Sequence, residues 1–196
     1  MESMTTTAPA PHAHEHALPA SGPELTRLAV SATLHCLTGC AIGEVLGMAI
    51  GTALGFSTWG TVALAVGLAF LFGYGLTSLP LLRAGLALGT VIPIALASDT
   101  VSIAVMELVD NAVVLAVPGA MEAGLDERLF WGALAFALAL AFVVTVPVNR
   151  RLLAQGKGHA AVHRTGIHGG PPPRLVGALV AAGFVFGAVV LVAEAL

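Results

Sequence analysis

Long apolar runs separated by short polar breaks make up most of the chain. They cover residues 26–56, 59–79, 90–117, 129–148 and 175–193. Each run is close to, or longer than, the roughly 20 residues with which a helix crosses a lipid bilayer. Apolar and polar residues do not alternate within the runs, as the strands of a transmembrane barrel require. The pattern therefore predicts an all-α fold, a polytopic transmembrane helix bundle with five spans.

The boundary before the third span is marked less sharply than the others. Apolar residues resume directly after Pro80 and Arg83, well before residue 90. We interpret residues 81–89 as an interfacial lead-in to the third span. A separate crossing over residues 81–97 is the alternative, and it would reverse the side of the membrane on which the N-terminus lies.

The composition is typical of an integral membrane protein. Hydrophobic residues make up 57% and charged residues 10% of the chain, and the mean hydropathy is +0.93. These values are far from those of a soluble domain. The net charge of −3 comes from few, scattered groups, so nucleic acid is not an expected partner. Two cysteines four residues apart do not form the framework of a disulfide-rich secreted protein.

The segments outside the spans indicate how the chain lies in the membrane. Residues 1–25 contain Thr, Ala, Pro and His but no basic start to a cleavable signal, so they are predicted to form a disordered tail. Residues 164–174 are predicted to form a Gly/Pro-rich loop. Basic residues are retained on the cytoplasmic side, and five follow the fourth span: Arg150, Arg151, Lys157, Arg164 and Arg174. We therefore expect a multi-pass protein of the cytoplasmic membrane with a cytoplasmic N-terminus.

Glycines repeat every four residues along the first span, at positions 39, 43, 47, 51 and 55. Residues four apart lie on nearly the same face of a helix. Small residues on one face let helix backbones approach closely in lipid. The stripe predicts tight helix packing, and it leaves a homo-oligomer formed through the same groove open.

The first span also carries side chains with metal-binding chemistry. Cys36, Cys40 and Glu44 lie within or beside the glycine face, and His35 lies one step to the side. Two thiols and an imidazole suit Cu(I) or Zn(II), with Glu44 as a harder ligand or a proton acceptor. A disulfide between thiols one helical turn apart is disfavoured by its dihedral requirements. The alternative is that the cysteines only fill space, as buried free cysteines often do.

The third span contains three acids. Asp99, Met106 and Asp110 share one helix face, and Glu107 flanks it. An uncompensated charge within the membrane costs on the order of 3 kcal/mol, so these acids indicate an ion or proton pathway. Helix capping is the alternative for Asp99 and Asp110. At about 1.5 Å of rise per residue, the Cys36 region and the Asp99 region reach comparable depths. The sequence therefore predicts a site between spans one and three.

Six histidines lie outside the spans, His12, His14 and His16 in the tail and His159, His163 and His168 in the long loop. Short His-rich tracts suggest metal binding, although a solvated or pH-responsive segment has the same composition. His159 and His163 are four residues apart and form a usable ligand pair if their segment is helical.

Three stretches together resemble a family of small bacterial multi-pass membrane proteins catalogued as a domain of unknown function. They are "LHCLTGCAIGE", "SDTVSIAVMELVDN" and "PVNRRLLAQGKGHAAVH", and they extend from Leu34 to His163. The resemblance implies a four-span core, residues 26–163, with the fifth span as an extension. It also implies an association with heavy-metal handling in some relatives.

The leading hypothesis is a membrane protein that binds and moves a transition-metal ion, with copper favoured over zinc. Its ligands or charge-balancing groups are ten residues: His35, Cys36, Cys40, Glu44, Asp99, Met106, Glu107, Asp110, His159 and His163. A proton or small-cation pathway through the acids is one alternative, and a thiol-based assembly or redox factor is another. An enzyme is not expected, because the sequence shows no nucleophile and base at the spacing of a known hydrolase family.

Overall fold

A computed structural model describes residues 21–166 and 173–196. All regular structure within these ranges is helical, and the elements are α1 (Gly22–Ala53), α2 (Thr58–Arg83), α3 (Leu88–Ala116), α4 (Arg128–Ala154), α5 (Ala160–His163) and α6 (Pro173–Ala195). The first four are long and apolar enough to cross a membrane. The predicted helix bundle is thus confirmed. Residues 1–20 of the predicted tail and residues 167–172 in the Gly/Pro-rich loop, with His12, His14, His16 and His168, lie outside the described residues. Residues 22–25, the end of the predicted tail, belong to α1.

Turns end the helices at points that differ from the ends of the apolar runs. The Ser57 hydroxyl caps α2 by accepting a hydrogen bond from the Gly60 N–H at 3.2 Å. The same helix continues through Pro80 to Arg83, where Gly85 with a φ of 87° turns the chain toward α3. Residues 88–97 then form the first part of α3. The lead-in before the third span is therefore divided between the end of α2, a turn and the start of α3.

The two ends of the bundle differ in charge. One end holds the start of α1, the end of α2, the start of α3 and the end of α4. We call it the basic end, because its cations are Arg27, Arg83, Arg150, Arg151, Lys157 and Arg164. The opposite end holds the loop of residues 117–127 between α3 and α4. We call it the acidic end, after Glu122, Asp126 and Glu127.

The glycine stripe of α1 packs directly on α2. A β-carbon added at Gly39 would lie 2.6 Å from the Gly73 Cα, and one at Gly47 would lie 2.6 Å from the Ala65 Cβ. At Gly43 the added atom would meet the backbone of Ala69. The smooth face thus lets two antiparallel backbones touch, as small residues do in lipid. α2 of the same chain fills the groove that a second copy would need.

α6 packs antiparallel on α4. The rings of Phe136 and Phe184 meet edge to face with centroids 5.5 Å apart. Nearer the acidic end, a β-carbon added at Gly132 would lie 2.5 Å from the Val190 Cβ. This packing leaves α1, α3 and α4 to enclose the polar interior of the bundle.

Candidate metal centre

Cys36, Asp99 and His159 form a compact, buried cluster. The Cys36 thiol donates a hydrogen bond to Oδ1 of Asp99 at 3.6 Å. Nδ1 of His159 lies 3.0 Å from the same oxygen. One ligand atom from each of the three residues lies within 4.8 Å of the other two. Thiol, carboxylate and imidazole thus converge from three separate segments of the chain.

Two helices and one returning loop build this cluster. Cys36 lies near the middle of α1, and Asp99 follows the start of α3 by eleven residues, so Asp99 does not cap a helix. His159 comes from the segment after α4, where Gly156 and Gly158 have φ values of 67° and 59°. Both values lie in the left-handed region that favours glycine. These two residues turn the chain back, and α5 then packs against α3.

A small apolar contact holds the returning segment in place. Ala160, directly after His159, is buried with Leu25 and Ala29 of α1 and Leu153 of α4. A β-carbon on Gly158 would lie 3.1 Å from the Leu152 side chain, so the loop also lies close to the end of α4. His159 therefore enters the interior of the bundle from the basic end and is only 8% exposed.

Two atoms of the cluster are buried without a hydrogen-bond partner in the described structure. They are Oδ2 of Asp99 and Nδ1 of His159, whose approach to Asp99 is close but lies outside hydrogen-bond geometry. A buried polar atom without a partner costs about 1–3 kcal/mol. Such atoms call for a specific explanation in a native structure. A cation held by Asp99 and His159 would satisfy both.

The other two predicted histidine ligands lie beside the cluster. Nε2 of His35 makes a 2.9 Å hydrogen bond with the Thr77 hydroxyl of α2. Its ring meets that of His159 edge to face at 5.6 Å, and the ring of His163 lies 6.3 Å from that of His159. Both imidazoles therefore lie next to His159. We call the three rings the row of imidazoles.

The second thiol, that of Cys40, lies in the interior of the bundle on the side of the cluster that faces the acidic end. Sγ of Cys40 lies 4.0 Å from Sδ of Met106. Both residues belong to the same buried core as Cys36 and Ile103. A pair of sulfur atoms therefore lies about one helical turn beyond the cluster.

The remaining predicted acids lie farther along the same interior. Glu107 approaches the Cys40 thiol and also neighbours Asp110. The side chains of Glu44 and Asp110 line a cavity of about 30 Å³ near the acidic end. Glu44 follows Cys36 by eight residues, a rise of about 12 Å along α1. The predicted residues therefore follow the axis of the bundle and do not share one ligand sphere.

A polar network beside the cluster was not expected from the sequence. Nδ2 of Asn149 donates to the Thr33 hydroxyl at 2.8 Å, and the Ser102 hydroxyl donates to Oδ1 of Asn149. The network joins α1, α3 and α4 at the level of the cluster. Asn149 sits at the end of an otherwise apolar run, in "PVNRR". The single amide in this apolar run is the sequence signal that could have indicated the network.

Replacing Asn149 by alanine is expected to destabilise the bundle by about 1 kcal/mol, because interhelical hydrogen bonds in membranes contribute roughly 0.6 and at most about 1.7 kcal/mol. Thermal unfolding in detergent, followed by the fluorescence of Trp59 and Trp131, measures the change. Thr38→Val is the matched control, because that exposed hydroxyl donates its hydrogen bond to the Leu34 carbonyl within its own helix. Equal effects of both changes would show that the network adds no stability.

Comparison with known proteins gives a family and no closer relative. None of the curated proteins and none of the solved structures matches the chain. One family model, described as "Domain of unknown function (DUF4396)", matches residues 27–158. The match includes Cys36 and Asp99 and ends one residue before His159. It covers well over half of the chain and confirms the kind of family that the motifs predicted, so the protein belongs to the DUF4396 family.

Proposed function

We propose that this membrane protein binds a transition-metal ion at Cys36, Asp99 and His159 and passes it along the interior of the bundle. The observation that carries the proposal is the convergence of three different ligand types within 4.8 Å in a buried site. A packing role accounts for a buried thiol. It does not account for an intramembrane carboxylate that has a free oxygen and lies between a thiol and an imidazole.

The chemistry of the cluster favours a borderline or soft metal ion. Thiolate, imidazole and carboxylate bind Zn(II) at about 2.0–2.3 Å, which places neighbouring ligand atoms about 3.3–3.8 Å apart. The Cys36–Asp99 and His159–Asp99 distances are 3.6 Å and 3.0 Å, close to this range. Small side-chain movements are therefore enough to bring the three ligand atoms onto one ion. Three protein ligands leave a fourth position for an exchangeable ligand, as in catalytic zinc sites. The sulfur pair of Cys40 and Met106 favours copper, since Cu(I) prefers thiolate and thioether ligands.

The row of imidazoles suggests how the ion reaches the cluster. His163 and His159 lead in from the basic end, and Cys40 and Met106 lie beyond it. Because basic residues are retained on the cytoplasmic side, we assign the basic end to the cytoplasm. In this proposal the ion exchanges with the cytoplasm through the two histidines.

Metal content of the detergent-purified full chain tests the proposal. After loading with Cu(I) under reducing conditions or with Zn(II), the wild type is expected to retain about one ion per chain. The Cys36→Ser variant is expected to bind at least about 10-fold more weakly, because loss of even an outer-shell partner costs 10–100-fold in affinity. Elemental analysis and competition with a chelator measure both quantities.

Two further variants sharpen this experiment. Thr38→Val, on the exposed face of α1, is expected to behave as the wild type. Cys40→Ser is expected to retain the ion, since Cys40 lies outside the three-residue cluster. An equal loss in Cys36→Ser and Cys40→Ser would place the ion between the two thiols. A wild type that retains neither metal would contradict the proposal.

A proton pathway is the second candidate function. Both carboxylate oxygens of Glu107 are buried without a hydrogen-bond partner in the described structure. Buried acids of this kind mark proton relays in membrane proteins. Proton flux into liposomes that depends on Glu107 but not on Cys40 would favour this candidate over the metal site.

A further inference from the structure

The cavity near the acidic end lies beside two carboxyl groups that take no part in the cluster at Cys36. Glu44 of α1 and Asp110 of α3 line it, and most of its other lining side chains are apolar. Its volume of about 30 Å³ has room for about two water molecules, each of which needs at least 10–15 Å³ on this measure. Ala120 and Met121 of the loop between α3 and α4 also line it, which places it next to the acidic end. The cavity is too small and too apolar for a hydrated metal ion, but it has room for water next to two acids.

The two carboxyl groups hydrogen-bond to each other across the contact between α1 and α3. Both are buried, since Glu44 is 5% exposed and Asp110 is 3% exposed. An ionised carboxylate only accepts hydrogen bonds, whereas a protonated carboxyl group can also donate one. A hydrogen bond between the two carboxyl groups therefore requires a proton on one of them.

The surroundings of the pair favour retention of this proton. Two carboxylates at one buried site repel each other, so such a pair holds one proton between its members. The other titratable groups near the pair are Glu107 and Cys40, neither of which supplies a positive charge. The described residues that line the cavity include no Lys, Arg or His, and those of α2 and α4 are apolar or carry no ionisable group: Val62, Ala65, Phe130, Ala133 and Leu134.

We propose that Glu44 and Asp110 form a proton-binding site, in which the pair holds one proton and exchanges it with water in the cavity. Each acid has one buried oxygen without a hydrogen-bond partner in the part of the chain that the structure describes, Oε2 of Glu44 and Oδ1 of Asp110. A hydronium ion in the cavity transfers its proton to such an oxygen and becomes a neutral water molecule. Unlike a metal ion, the proton needs no further ligands and no wider space. The site does not depend on the transition-metal cluster, which lies about 12 Å away along α1.

Infrared spectroscopy of the detergent-purified full chain tests this site, because a protonated carboxyl group has a C=O stretching band that a carboxylate lacks. At neutral pH exposed acids are ionised, so a band at this pH reports buried, protonated groups. The wild type is expected to show such a band, and transfer of the folded protein to D2O is expected to shift it, because cavity water exchanges the proton. The double variant Glu44→Gln, Asp110→Asn is expected to lose the contribution of the pair. Each single variant is expected to displace or remove this contribution, because each acid supplies one half of the hydrogen bond.

Glu122→Gln is the matched control, since it removes an exposed acid of the loop at the same end. This variant is expected to keep the wild-type band, and thermal unfolding checks that every variant is folded. An unchanged band in the double variant would overturn the site, because the band would then belong to other acids. So would an unchanged band in either single variant, or a wild-type band that does not respond to D2O. None of these results bears on the copper or zinc content of the Cys36 cluster, which is measured separately.

Discussion

The Asp99→Asn variant is expected to lose transition-metal binding while the folded protein stays at least as stable as the wild type. The amide keeps the shape of the side chain, and its oxygen can still accept the hydrogen bond from Cys36. It removes the negative charge that holds a cation, so affinity falls by at least about 10–100-fold, the cost of losing even an outer-shell partner. A chelator competition measures the affinity, and thermal unfolding without metal measures the stability.

Asp99→Asn is informative because it is expected to lower metal affinity without lowering the stability of the metal-free protein. A carboxylate buried within a membrane span is costly to desolvate, so replacing it by a neutral amide is not expected to destabilise the metal-free protein. If Asp99 served only to hold the helices together, Asp99→Asn would lower the unfolding temperature and leave metal content unchanged. Glu122→Gln removes an acid outside the bundle and is expected to change neither quantity.

The Gly43→Val variant is expected to prevent α1 and α2 from packing. A β-carbon at this position would lie 2.6 Å from the carbonyl carbon of Leu68 and closer still to the backbone of Ala69. Backbone cannot move aside as a flexible side chain can. The cost therefore exceeds the roughly 1–3 kcal/mol of ordinary overpacking. The yield of monodisperse protein in detergent and its unfolding temperature measure the effect.

Gly67→Val provides the matched control for this change. Gly67 lies on the exposed side of α2, where an added β-carbon would meet no atom within 4 Å. The same substitution there is expected to lower the unfolding temperature little or not at all. If both variants lost stability equally, the close approach of the two helices would not be what the stripe of glycines provides.

The main outline of the fold was predictable because lipid imposes a simple rule. Each spanning helix needs an apolar run of a certain length, and α1, α2, α3 and α4 each correspond to one run. The ends of the helices were less predictable, since they depend on local turns. Pro80 broke the pattern in the sequence, yet α2 continues through it to Arg83. The turn at Gly85 sets the end of this segment.

The part of the site that lies on regular helices could also be predicted, from the spacing of its residues along the sequence. Cys36 and Asp99 meet because both lie on inward faces at similar depth. His159 was among the predicted ligands, but its position beside Cys36 and Asp99 could not be predicted, because it requires a loop that folds back onto the bundle. That path depends on the backbone conformation of Gly156 and Gly158 and on the packing of Ala160 against α1 and α4. These are tertiary contacts with no periodic signal in the sequence.

The acids show a different limit of sequence reasoning. Helix periodicity places Asp99 and Asp110 on one face, but their separation along α3 is about 16 Å. Residues on one face can therefore lie at two separate levels of the bundle. Asp99 contacts Cys36 and His159, whereas Asp110 lines a cavity together with Glu44.

The fit of α1 against α2 limits how this bundle can change shape. Backbones that touch over successive turns from Gly39 to Gly47 cannot slide past each other without steric clash. The two helices therefore form one packed unit. Cys36 lies on this unit, whereas Asp99 lies on α3. In the function proposed above, a displacement of α3 relative to the pair would separate Cys36 from Asp99, so that opening of the interior would also release the ion.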